Sequence, residues 1–276
     1  MIRYAPLAVP AAMMTAMLTA GCAGEEAGGP SPAGPTIVSL NPCTDAILAE
    51  VADPAQLLAI SHYSHDPRAT SMNLPEARRF AITGGTAEEV LALNPDLVVA
   101  STYMPVATRA ALERLGIRVE LVGAADTVDA SYAQIRQIAA AVRQPQRGEA
   151  LIRRIDTALA DTATSRDPLQ AVVWQQGGIV PGEGALVSEL LRRTGYASHS
   201  AAKGLGQADY LPLEAMLADP PEVILSAGDG RAQSHPALAG LALTHRAGFA
   251  PSLIYCGGPT IAVAARRLAE IRKGLR

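Results

Sequence analysis

Two stretches of this chain repeat one another in phase. TAEEVLALNPDLVVAS at 86–101 and PLEAMLADPPEVILSA at 212–227 align without a gap, at an offset of 126 residues. Glu88 meets Glu214, Leu91 meets Leu217, Ala92 meets Ala218 and Pro95 meets Pro221. Each copy reads as a short helix opened by an acid, a proline turn and an apolar strand. Such an echo restricts the chain to two lobes of one design, set against the plainer reading that helix–turn–strand units look alike in any α/β protein. The acids have a plainer reading too, as first-turn residues that complement the helix dipole.

The rest of the chain supports an α/β fold with mainly parallel strands, because short apolar runs alternate with amphipathic stretches. Strands are expected at 36–40, 57–60, 97–100, 117–122, 171–174, 223–226 and 252–255. After the first of these, Asn41 can cap a helix over 42–51, Pro42 suits its first position and Asp45 favours its positive end. Apolar residues at 135, 138, 139 and 142 form one helical face. Pro145 then opens a second helix of roughly 24 Å, long enough to cross between lobes. This divides the chain into a first lobe at 36–128, a helical connection at 129–167 and a second lobe at 168–276.

The first residues bear on the compartment. Arg3 supplies a positive start, residues 5–20 are almost all apolar, and the run ends in Leu18-Thr19-Ala20-Gly21-Cys22. This is an export signal over 1–22. Small residues before a cysteine resemble the lipobox of bacterial lipoproteins, which would make Cys22 a lipidation site, although Thr19 stands where leucine is usual. Ordinary cleavage near Ala23, giving a soluble protein, is the alternative. Residues 23–35 are Gly, Ala, Pro, Glu and Ser with no apolar period, and read as a flexible tether. At 276 residues and 49% hydrophobic the chain can bury substantial cores. A net charge of −3 gives no basic footprint for nucleic acid.

With an export signal, two similar lobes, a helical crossover and the strings IVSLNPCTDAI and EEVLALNPDLVVAS, the chain resembles the substrate-binding proteins of bacterial ABC importers. The similarity is to the class whose Rossmann-like lobes are joined by one long helix, which includes vitamin B12 and ferric-siderophore binders. It implies no catalysis and no resident cofactor, a monomer that captures a small molecule between its lobes, and delivery to a permease dimer in the inner membrane. In that family one acid on each lobe docks into permease arginines. The matching positions are Glu88 and Glu214, with Glu89 adjacent to the first. The resemblance further implies a periplasmic location and a corrinoid such as vitamin B12 ahead of a ferric siderophore or heme.

Ligands of open α/β sheets lie beyond the carboxyl ends of the strands. That rule assigns Asn41, Cys43, His62, Tyr63, His65 and Tyr103 to one wall of the cleft. Trp174, Gln176, Arg231, Tyr255 and Cys256 belong to the other, and Tyr210, just before the helix that carries Glu214, stands where the resemblance implies a further pocket loop. Tyrosine and tryptophan offer apolar faces with a polar edge, which suits a bulky amphipathic ligand; packing at strand ends would also explain them.

Three further chemistries merit weighing. His62, His65 and Asp66 could bind a bare metal ion, since imidazole and carboxylate suit zinc, iron or manganese. Pro67 disfavours helix at Asp66, however, so HYSHDPR reads as a loop and as a pocket wall rather than a dedicated metal site. Cys43 in a first helical turn could serve a cysteine-dependent envelope enzyme, with His62 as base, but no oxyanion donor can be named. Cys43 and Cys256 are otherwise a disulfide that would lock the lobes together, buried thiols or ligand contacts.

Overall fold

The computed structural model describes residues 1–2 and 34–275. The export signal, Cys22 and nearly all of the tether lie outside the described residues. The first lobe is built on β1 (Ile37–Ser39), β2 (Leu57–Ser61), β3 (Ile82–Thr83), β4 (Leu97–Ser101) and β5 (Arg118–Val122). Its helices are α1 (Pro42–Val51), α2 (Leu74–Ala77), α3 (Ala87–Leu93) and α4 (Val106–Arg114). Next come α5 (Val128–Ala141) and α6 (Pro145–Thr162). The second lobe has β6 (Leu169–Gln175), β7 (Ile179–Val180), α7 (Leu186–Arg193), β8 (Tyr196–Ser198), α8 (His199–Ala202) and β9 (Asp209–Tyr210). It ends with α9 (Leu213–Ala218), β10 (Val223–Ala227), β11 (His245–Gly248) and α10 (Thr260–Lys273).

The first sheet runs in the order β3-β2-β1-β4-β5 and the second in the order β11-β10-β6-β8, with every described pairing in both parallel. Helices cover both faces of such sheets, so their strands are apolar throughout rather than alternating. Leu97–Ala100 and Val223–Leu225 are buried accordingly. In the first sheet the chain moves from β1 to one side and then returns to the other, which puts the switch point between β1 and β4. In the second it lies between β6 and β10. The crevices that bind ligands open at these two places.

The repeated segments occupy equivalent positions. Leu97–Ser101 and Val223–Ala227 coincide end to end at the offset of 126, and each strand is the central partner of two others. α3 ends at Asn94, whose left-handed backbone (φ 48°) turns the chain toward Pro95 and β4. α1 follows its sequence signals closely: Asn41 accepts from the Cys43 N–H at 2.9 Å, Pro42 begins the helix, and Asp45 lies in the first turn.

α6 has 18 residues, about 27 Å, and packs against α5, α1 and α10. Its Leu151, Ile152 and Ile155 belong to one core that runs from Ile37 and Ile47 in the first lobe to Leu186, Ile261 and Leu268 in the second. Smaller clusters around Val98 and around Val172 fill the opposite faces of the two sheets.

The strand expected at 252–255 does not form. Pro251–Leu253 is a single tight helical turn, and Tyr255–Gly258 is a loop leading into α10. Pro251 removes a ladder donor, and two glycines follow within seven residues. The edge strand beside β10 is instead β11, His245-Arg246-Ala247-Gly248. Its largely exposed, polar sequence carries no apolar run to mark it.

Candidate functional site

Between the lobes lies a cavity of about 300 Å³. The β1 and β4 ends supply Asn41, Cys43, Thr44, Ser101 and Tyr103, so the first-lobe wall is built at the switch point. The chain after β5 and α5 adds Gly123 and Gln134, whose Nε2 donates to the Gly123 carbonyl at 2.6 Å. The second lobe contributes Leu186, Gln207, Ile254, Tyr255 and Gly257. None of the described residues lining the cavity carries a formal charge. The polar groups are hydroxyls and amides set among apolar side chains. Tyr103 is 84% exposed and Tyr255 59% exposed, so both rings present open faces at the rim. The Tyr255 hydroxyl donates to Gln175 Oε1 at the end of β6, which fixes that ring.

Cys43 and Cys256 form a disulfide with a Cα–Cα distance of 5.1 Å. Of the alternatives open to these thiols, the structure therefore has the covalent link between lobes. A disulfide offers no thiolate, so Cys43 is no nucleophile in this state.

The His62–His65 segment is one tight helical turn after β2, and its residues do not line the cavity. His62 is within 3.3 Å of the Thr83 carbonyl through Nδ1, and its ring lies 4.1 Å from that of Tyr63. His65 Nε2 meets the Ala77 carbonyl at 3.0 Å. Both imidazoles thus hold backbone of other segments, at β3 and α2, while Tyr63 stands out into solvent. Beneath them Asp45 Oδ2 accepts from the Ser61 N–H at 3.1 Å and from Ser64 Oγ at 2.6 Å. Burial pushes the Asp45 carboxyl up to about 7, against the opposing pull of these hydrogen bonds. Among the described residues, no three His, Cys, Asp or Glu side chains gather as metal ligands would.

The remaining second-lobe candidates divide. Trp174 is fully buried, with Nε1 donating to the Leu211 carbonyl at 3.1 Å, and it does not line the interlobe cavity. Together with Trp174, Gln176, Tyr210 and Arg231 line a second depression of about 360 Å³ at the β6–β10 switch point. Glu88 and Glu214 are exposed in the first turns of α3 and α9. Glu89 accepts from Thr83 Oγ1 at 3.0 Å, which holds its carboxyl below the usual range, whereas Glu88 takes part in none of the described side-chain hydrogen bonds or ion pairs.

Sequence reasoning missed Gln134, Gln207 and the residues after β5. The strand-end rule would have found Gly123, which directly follows Val122. Gln134 lies inside a helix and Gln207 in the loop two residues before β9, not beyond the carboxyl end of a sheet strand, and nothing local distinguishes them.

A profile described as periplasmic binding protein matches residues 37–245. No curated protein sequence matches significantly. Among solved structures, the periplasmic heme-binding protein HutB of Vibrio cholerae superposes with a TM-score of 0.72 at 17% identity, over 86% of this chain and 98% of that one. The periplasmic heme-binding protein RhuT of Roseiflexus sp. RS-1 gives 0.68 at 22% identity, over 86% and 97%. The periplasmic vitamin B12 binding protein BtuF of Vibrio cholerae gives 0.65 at 20% identity, over 86% and 96%. At these identities the likeness speaks for the two-lobed fold, and the profile, spanning most of the chain, speaks for the family: this chain belongs to the periplasmic binding proteins, which bind substrates for ABC importers and are not enzymes.

Proposed function

We propose that the protein captures a corrinoid such as vitamin B12 in the periplasm and delivers it to an inner-membrane ABC permease. The observation that carries this reading is the uncharged lining of the cavity. A corrin ring has an apolar face and a periphery of neutral amides, which hydroxyl and amide side chains can match. Heme brings two carboxylates, and many ferric siderophores are anionic; burying such groups without a cation is costly. At about 300 Å³ the enclosed space is at the low end for ligand pockets, so a corrinoid would extend past it over the exposed rings of Tyr103 and Tyr255 at the rim. In this reading the lobes meet in the 129–167 segment, and Cys22, if lipidated, tethers a monomer to the membrane.

Heme is the second reading, favoured by the exposed phenols of Tyr103 and Tyr255, which are hard oxygen donors suited to ferric iron. Titration separates the two. Cyanocobalamin should bind at least tenfold more tightly than heme, and Tyr103→Ala or Tyr255→Ala should each weaken it roughly tenfold, the loss of about one stacking face. Protein that takes up heme and ignores cyanocobalamin would overturn the corrinoid reading. The visible spectrum of protein purified from its native envelope gives an independent check.

Docking through Glu88 and Glu214 is a separate proposal, supported by their exposure and their equivalent places in the two repeats. Paired rim charges orient an encounter more than they add affinity. Glu88→Ala/Glu214→Ala should therefore reduce uptake in cells several-fold while ligand binding by the purified protein stays unchanged. A parallel loss of binding, or normal uptake, would count against it.

A further inference from the structure

The segment Tyr255-Cys256-Gly257-Gly258-Pro259 leads from the second lobe into α10, yet it is seated in the first. Cys256 is bonded to Cys43 in the first turn of α1. The Gly258 N–H donates to Ser131 Oγ of α5 at 2.7 Å, in a buried bond. A Cβ at Gly257 would stand 2.5 Å from Ser131 Oγ, and one at Gly258, where φ is +62°, 2.5 Å from Ile47 Cγ1 of α1. Only glycine lets backbone approach the two helices so closely. A covalent bond, a buried hydrogen bond and close backbone packing therefore fasten one second-lobe loop to α1 of the first lobe and to α5. The same loop forms part of the cavity: Tyr255 and Gly257 line one wall and Cys43 the other.

We propose that this loop sets the width of the cleft. Cys43, Cys256 and Ser131 are positioning residues that hold the cavity walls at one separation, so that the ligand enters a preformed site and the lobes do not close on it. The inference rests on the cavity being the ligand site and is independent of which ligand fills it. A preformed site avoids the ordering cost of closure and gains affinity by that saving.

Pulsed EPR distances between nitroxides at exposed Glu113 on α4 and His245 on β11, attached through a keto amino acid, test it directly. The wild type should give one narrow distribution, unchanged by saturating cyanocobalamin. Cys43→Ala/Cys256→Ala should broaden the distribution in free protein and weaken cyanocobalamin roughly tenfold, and Ser131→Ala should do both to a smaller degree. A wild-type distribution that shifts with ligand, or a double variant as narrow and tight-binding as the wild type, overturns the proposal. If the double variant does not fold, Ser131→Ala decides, and wild-type width and affinity in it have the same consequence. Wild-type protein that ignores cyanocobalamin counts against the corrinoid reading alone, because the distances in free protein still discriminate.

Discussion

Replacing Cys43 and Cys256 together by alanine is expected to lower the unfolding free energy by about 5 kcal/mol. The magnitude follows from chain entropy. The bond joins residues 213 positions apart, so it closes nearly the whole folded part of the chain into one loop and removes many extended conformations from the unfolded ensemble. The cost of closure rises only as the logarithm of loop length, so a loop twice as long adds little more. Against a typical domain stability of about 5–15 kcal/mol, a loss of this size leaves little margin. Guanidinium melts of oxidised wild type, reduced wild type and the double variant are the measurement. The last two should coincide, well below the first; a separation under about 1 kcal/mol would show that the link adds little constraint. Peptide mapping without reductant should recover Cys43 and Cys256 on one linked fragment, and two free thiols in exported protein would remove the premise.

The fold was legible where sequence pattern and physical cause are local. The repeat predicted the two copies of helix, turn and strand, and β4 and β10 begin and end at matched positions. The cap at Asn41 with Pro42 and Asp45 predicted α1 to the residue. Apolar content misled at 252–255, where Ser-Leu-Ile-Tyr has strand composition but Leu253 and Ile254 pack onto the core from a tight turn and the loop after it. The converse failure is β11, an edge strand whose polar residues face outward.

The site was legible only in part, for a related reason. Strand ends are readable, and Asn41, Cys43, Tyr103 and Tyr255 meet at one cavity because the topology brings the β1 and β4 ends to face the second lobe. Which way an individual side chain points is not readable in a parallel sheet. With both faces buried, alternation carries no label, and Trp174 at the end of β6 turns inward to Leu211. His62 and His65 drew notice by composition, but their ring nitrogens meet the carbonyls of Thr83 and Ala77, partners supplied by distant segments.

Asp45 carries the second large prediction, and its sign is opposite to that of an ordinary salt-bridged carboxylate. The residue has two kinds of influence that favour its charged form: its place in the first turn of α1 and the hydrogen-bonding groups of Ser39, Ser64 and Ser61. Burial outweighs both, and its carboxyl titrates near 7 in the native state against 3.8 ordinarily. Between those values the native protein keeps a proton that the unfolded chain has released. Stability contributed by this group is thus greatest below about pH 4, falls as pH rises toward 7, and is level above it. At about 1.36 kcal/mol per unit the total approaches ~4 kcal/mol. An asparagine side chain in place of this aspartate keeps an acceptor for Ser61 and Ser64 and carries no charge. Asp45→Asn should therefore match the wild type near pH 4 and exceed it by several kcal/mol at pH 8, whereas Asp45→Ala, which strands the buried Ser61 N–H, should lose about 1–3 kcal/mol at pH 4 relative to the wild type. Carboxylates such as Asp96, held low by its bonds to Thr36, contribute the opposite slope in acid, but they are common to both proteins and cancel in the difference. Urea melts of wild type and Asp45→Asn from pH 4 to 8 give that difference directly, and curves that stay parallel would show that Asp45 is ionised throughout.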